Sequence, residues 1–127
     1  MRLARLFGAV VLFLLATGQA VRSDASELEE PEWLAGAILR QSEVLHLSAE
    51  QRGQVEQILR RAQSTWRALT ERMAAAERDA SASGRSDWSA LAQERGRLRV
   101  LADRDALRVL DPEQRVRWRE LRARREQ

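Results

Sequence analysis

The chain has 127 residues, with 22 arginines and no lysine against 19 acidic residues, a formal charge of +3, four tryptophans, one histidine and no cysteine. Without cysteine there is neither a disulfide nor a thiol nucleophile, and a lone histidine leaves no Ser-His-acid or Cys-His set to assemble. No glycine-rich phosphate loop is present either, so the composition predicts no enzyme and no resident cofactor.

Arg2 and Arg5 precede an apolar run from Leu6 to Ala16, and Gly18-Gln19-Ala20 places small residues where a leader is cut. This pattern predicts a secretory signal peptide over 1–20, cleaved near Ala20, and a periplasmic protein. The alternative is an uncleaved anchor, for which the run falls short of the ~20 apolar residues of a spanning helix. Losing 1–20 removes both phenylalanines and two arginines, which lowers the formal charge to +1. The isoelectric point of about 11.0 therefore reflects missing lysine and cysteine titration, and nucleic acid is not an expected partner. Residues 21–30, VRSDASELEE, read as a flexible acidic lead-in.

Pro31 suits the first turn of a helix, and Trp33, Leu34, Ile38 and Leu45 form a rough stripe, predicting a helix over about 31–45. His46 and Leu47 make a short joint. From Ala49 to Arg78 the apolar residues fall at Val55, Ile58, Leu59, Ala62, Trp66, Leu69 and Met73, one stripe on a helix of roughly 45 Å. Ser48 with Gln51 three places on is a capping box for that helix. The pattern then weakens. Gly84 is expected as the left-handed residue past a helix end, with Ser86 or Asp87 capping a third helix over about 87–109. That helix carries Trp88, Leu91, Leu98, Leu101, Ala102 and Val109, with Val100 and Leu107 on a second stripe. Two stripes predict contact with the second helix and with a partner chain.

The opening signal then returns. Leu110-Asp111-Pro112-Glu113-Gln114 matches Leu47-Ser48-Ala49-Glu50-Gln51 position by position, with Val55 and Trp118, and Ile58 and Leu121, at equal offsets. Asp111 is the expected N-cap of a fourth helix over 112–125, with Pro112 at N1. Glu56–Arg60, Glu113–Arg117 and Glu120–Arg124 have the spacing of exposed helical ion pairs. The fold predicted is all-α, a four-helix bent hairpin with two long helices and short flanking ones over 31–127. So elongated a chain buries little core alone, so a homodimer is expected.

Three groups of side chains carry candidate chemistry. His46, with Glu43 and Glu50 nearby, is a weak metal candidate, because a zinc site needs about four ligands. Trp33, Trp66, Trp88 and Trp118 anchor helix packing, or else Trp66 with Leu69 and Met73 lines a surface that takes up unfolded chains, flanked by Arg60, Arg61, Arg67 and Arg72. The arginines of the last helix favour the negative end of its dipole, or else meet anionic lipid or an acidic partner domain.

Two copies of Leu-(Ser/Asp)-x-x-Gln behind an export leader resemble the paired Leu-Thr-x-x-Gln motifs of the Spy/CpxP family. The resemblance covers about residues 31–125, with Leu47, Ser48 and Gln51 on one motif and Leu110, Asp111 and Gln114 on the other. It implies a thin dimeric cradle and an ATP-independent chaperone that limits aggregation of unfolded or misfolded envelope proteins under stress. The alternative it implies is an accessory that restrains a membrane sensor protein, or a heavy-metal-resistance sensor. In that family the motifs hold the joints together. The metal-handling relatives use several histidines, whereas this chain has one.

Overall fold

The computed structural model describes residues 30–127. The leader expected over 1–20, and all but the last residue of the lead-in, lie outside the described residues. From Pro31 to Gln127 the chain forms one compact unit of four helices, α1 (Leu34–Arg40), α2 (Ala49–Arg78), α3 (Ala82–Val109) and α4 (Pro112–Arg125). The fold is all-α, and no strand occurs among the described residues.

α2 and α3 make the hairpin on which everything else is mounted. Their packed stripe divides into three clusters that shrink from the joint to the tip. At the joint, Ala35, Ile38, Leu45, Leu47, Val55, Ala106, Leu110 and Trp118 are buried together. In the middle, Trp33, Ala62, Trp66 and Ala102 form a smaller group. Near the tip only Leu69, Met73 and Leu91 remain. The taper follows the layering, since α1 and α4 add residues to the joint cluster, the segment leading into α1 adds Trp33 to the middle one, and neither reaches the third. Trp33 meets Trp66 edge to face, with ring centroids 5.6 Å apart and planes at 89°, a favoured aromatic geometry.

The first helix is shorter than its stripe predicts. Trp33 is still extended, at φ −77° and ψ 135°, and Asp103 of α3 accepts from the Leu34 N–H at 3.3 Å, capping α1 from another element. Beyond Arg40 the ladder tightens. Gln41 and Ser42 donate to the carbonyls three residues back. Two bonds then close the segment, Leu47 N–H to Ser42 O at 3.0 Å and His46 N–H to Glu43 O at 3.1 Å. This pair is a Schellman end with His46 at the left-handed position, φ 53°. A histidine therefore occupies the conformation that usually selects glycine.

The third helix begins earlier than predicted. Ser81 caps it by accepting from the Gly84 N–H at 3.2 Å, so neither Ser86 nor Asp87 is the cap. Gly84 is not left-handed; it lies in the first turn of α3. It is needed there because a Cβ would stand 2.2 Å from the Asp79 carbonyl oxygen and 2.9 Å from that of Ala76. The glycine sets how closely the two helices approach at the tip. Asp79 accepts from the Ser81 N–H at 3.0 Å. Hydrogen bonds from the Ser81 side chain and backbone hold its carboxyl below the ordinary value.

Candidate functional site

The two Leu-(Ser/Asp)-x-x-Gln segments form the expected capping boxes. Ser48 accepts from the Gln51 N–H at 3.0 Å, and the Gln51 side chain accepts from the Ser48 N–H at 3.0 Å. Asp111 and Gln114 repeat this at 2.8 and 2.9 Å. The boxes are also joined to each other. Gln51 Nε2 donates to Gln114 Oε1 at 2.7 Å, and Gln114 Nε2 donates to Gln51 Oε1 at 3.1 Å. Each amide then reaches behind the opposite box. Gln51 Nε2 donates to Val109 O at 3.1 Å, and Gln114 Nε2 donates to Leu45 O at 3.1 Å and His46 O at 3.3 Å. His46 and Val109 stand two residues before their N-caps, so the arrangement has a local pseudo-twofold. Leu47 and Leu110 are buried beneath it, and so is Gln114 at 8 % exposure.

This clasp satisfies nearly the whole polar inventory of two primary amides in a half-dry site. It is a fastener between helix starts. Two arginines of α4 serve the same joint. Arg115 Nε donates to Leu110 O at 3.0 Å, and Arg117 Nη1 donates to Val44 O at 3.1 Å. Arg117 was expected to pair with Glu113; the ion pairs found include Arg40 with Glu32 and Arg108 with Asp105, and none of the three expected helical pairs. An open carbonyl at the joint is the better-placed acceptor.

No protein-family profile, curated protein or solved structure matches this chain.

The surface expected to take up unfolded chains is corrected by the structure. Trp66, Leu69 and Met73 are 8, 3 and 1 % exposed, because they fill the seam between α2 and α3. Trp66 is further covered by Arg95, whose guanidinium carbon lies 4.4 Å from the ring centroid. Arg60 and Arg67 are exposed and line a shallow polar groove on α2 with Gln63 and Glu71, away from the buried stripe. His46, Glu43 and Glu50 are all exposed at the joint. Among the described residues no group of three or more His, Cys, Asp or Glu is gathered as a metal ion requires.

The exposed apolar residues lie elsewhere. Trp88 is 40 % exposed and, with Ala76, Ala80, Gly84 and Arg85, borders a cleft of about 550 Å³ at the hairpin tip. Leu101 and Val100 are 45 and 67 % exposed on α3. The sequence grouped Trp88 and Leu101 with Leu91 and Ala102, and the structure separates them. Alanines fill the middle of the seam so tightly that α3 needs only a narrow buried edge. A second cleft, of about 380 Å³, lies between the start of α1, α3 and the end of α4 and includes Trp33, Asp103, Arg99 and Arg122.

Proposed function

We propose that this chain is an exported, ATP-independent chaperone-like protein of the Spy/CpxP kind, acting in the periplasm on partly unfolded envelope proteins. The observation that carries the reading is the exposed Trp88 at the tip. An aromatic ring two-fifths open to solvent over an alanine-lined cleft, with Arg85 and Asp79 at its rim, is an amphipathic patch. Such a patch gains from covering exposed apolar segments reversibly. The tip has the thinnest core, so it is the part of the hairpin best able to adapt to irregular clients. The clasped Leu-(Ser/Asp)-x-x-Gln boxes support the family reading, since their role at the joints is the one the resemblance implies. Arg60 and Arg67 remain as exposed cations that steer acidic client segments. The same reading has the chain self-associating.

The test is aggregation of a chemically denatured model client, diluted into buffer with purified protein and no ATP, with and without added zinc. The expected result is suppression near stoichiometric ratios, indifferent to zinc and weakened by Trp88→Ser. No suppression at several-fold excess overturns the reading in favour of an accessory to a membrane sensor. Dependence on zinc returns His46 to the centre.

A further inference from the structure

The cleft of about 380 Å³ between the start of α1, α3 and the end of α4 has no part in the clasp or in the tip patch. Its floor is apolar, made by Leu34 and Ala37 with the open parts of Trp33 and Trp118. Both indoles are core residues, 4 and 5 % exposed, so the floor is fixed before anything binds. Its rim is charged. Arg99 comes from α3, and Arg122 and Arg125 come from α4, all three exposed. Three acids share the cleft and are not equivalent. Glu32 is ion-paired with Arg40 of α1, and Asp103 accepts from the Leu34 N–H at 3.3 Å. Glu126 follows the last turn of α4. Arg99 with Asp103, and Arg122 with Glu126, have the four-residue spacing of helical ion pairs, yet neither pair is closed. Among the described residues none of the three arginines has a salt-bridge partner. With Glu32 matched by Arg40, three cations face two carboxylates, and the cleft carries one positive charge in excess.

We propose that this cleft binds a small monocarboxylate with an apolar tail, of the chemical class of a medium-chain fatty acid. The carboxylate balances the excess charge among Arg99, Arg122 and Arg125, whose guanidinium forks match its two oxygens. The tail lies on Leu34, Ala37 and the two indoles and takes their open apolar area out of water. The volume stands at the small end of the range for small-molecule sites, roughly 300–1,000 Å³, so the tail is short. A phosphate monoester, with a charge of about −1.5 to −2, overshoots the excess and sets like charge against Asp103 and Glu126. A neutral alcohol leaves the guanidinium groups unmatched. The site lies away from the hairpin tip and does not rest on the client reading.

Octanoate is the probe, with octanol, acetate and octyl phosphate for comparison. The four tryptophans give four indole N–H signals in a proton–nitrogen NMR spectrum, two from the cleft and one from Trp88 at the tip. Octanoate added to ~5 mM is expected to move the Trp33 and Trp118 signals along one saturating curve and to leave Trp88 in place. Octanol and acetate are expected to give no saturating shift, and octyl phosphate a weaker one than octanoate. Arg122→Gln with Arg125→Gln is expected to weaken octanoate binding at least tenfold, whereas Arg52→Gln with Arg61→Gln, at exposed positions of α2, leaves it unchanged. Ala37→Leu raises the floor, keeps every charge and is expected to weaken binding too. Circular dichroism melts check that each variant keeps the fold, and the arginine pairs, being exposed, carry the test if Ala37→Leu does not. Absence of a saturating shift by ~5 mM overturns the proposal. So does a shift confined to Trp88, equal loss in the two arginine pairs, or octanol or octyl phosphate binding as tightly as octanoate.

Discussion

Gln114 is the residue whose loss the clasp feels most. Gln114→Ala removes the donor to Leu45 O and His46 O, the acceptor for the Asp111 N–H, and both bonds to Gln51. The bond to Leu45 O is the buried one, and an orphaned buried acceptor costs ~1–3 kcal/mol. The others are half open to water, which replaces part of what is lost, so together they add about 1 kcal/mol. The expected total is about 3 kcal/mol. For a unit of this size that lowers the melting temperature by roughly 12–24 °C. Gln51→Ala is expected to cost about half as much, because Gln51 is only partly buried. The double variant should cost less than the sum by about 1 kcal/mol, the signature of a shared bond pair. Gln114→Glu keeps an acceptor for Asp111 but turns a carboxylate oxygen toward the Leu45 and His46 carbonyls, so it should be at least as damaging as alanine. Urea titrations followed by far-ultraviolet circular dichroism measure all four. A cost for Gln114→Ala below about 1 kcal/mol, or strict additivity with Gln51→Ala, would refute the clasp.

Four further outcomes are expected. Ser48→Ala and Asp111→Ala should each lower stability by ~1 kcal/mol through a lost N-cap bond, and thermal melts in which both are neutral would contradict the capping account. Gly84→Ala should destabilise by about 1–2 kcal/mol, the clash with the Asp79 and Ala76 carbonyls outweighing the helix-propensity gain of ~1 kcal/mol; a stabilised variant in a urea titration would show that the helices can part freely there. Met73→Ala should cost ~2–4 kcal/mol, whereas Arg60→Ala should stay within ~0.5 kcal/mol, a contrast that urea midpoints resolve. Asp79 has a lowered folded-state pKa, so its contribution is complete above the ordinary carboxylate value and is lost as pH falls through the folded value. Hydrogen-exchange protection factors in the first turn of α3, which remove the intrinsic slowing of exchange in acid, should fall over that range in the native chain, and those of Asp79→Ala should not.

The long helix was legible to the residue, because its stripe from Val55 to Met73 and its Ser48 cap agree with each other. The 112–125 helix was legible for the same reason. The repeat of Leu47–Gln51 at Leu110–Gln114 showed two capped joints, but spacing along the chain carries no information on whether two equal amides face each other. Their meeting depends on the hairpin bringing residues 63 apart into contact. Periodicity also misjudged the sides of the seam. A stripe shows which residues share a face, not how wide a strip of that face the neighbour covers. With alanine at 62, 102 and 106 the helices interlock narrowly, which leaves Trp88 and Leu101 outside and seals Trp66, Leu69 and Met73 within. Gly84 was misread because glycine serves both for a left-handed turn and for a close approach, and sequence alone does not separate the two. The trans cap from Asp103 to α1 had no local signal at all.

The tapering core also fixes the direction in which this molecule comes apart. Separating α2 from α3 at the tip uncovers three large side chains, whereas parting them at the joint breaks the eight-residue cluster and the double amide clasp together. Opening therefore runs like a zip from Arg78 and Ala82 toward Trp66, while the segments around Leu45–Val55 and Ala106–Trp118 stay shut until global unfolding. Backbone amides graded in this way give the hairpin a fixed pivot and a free end, each with its own lifetime.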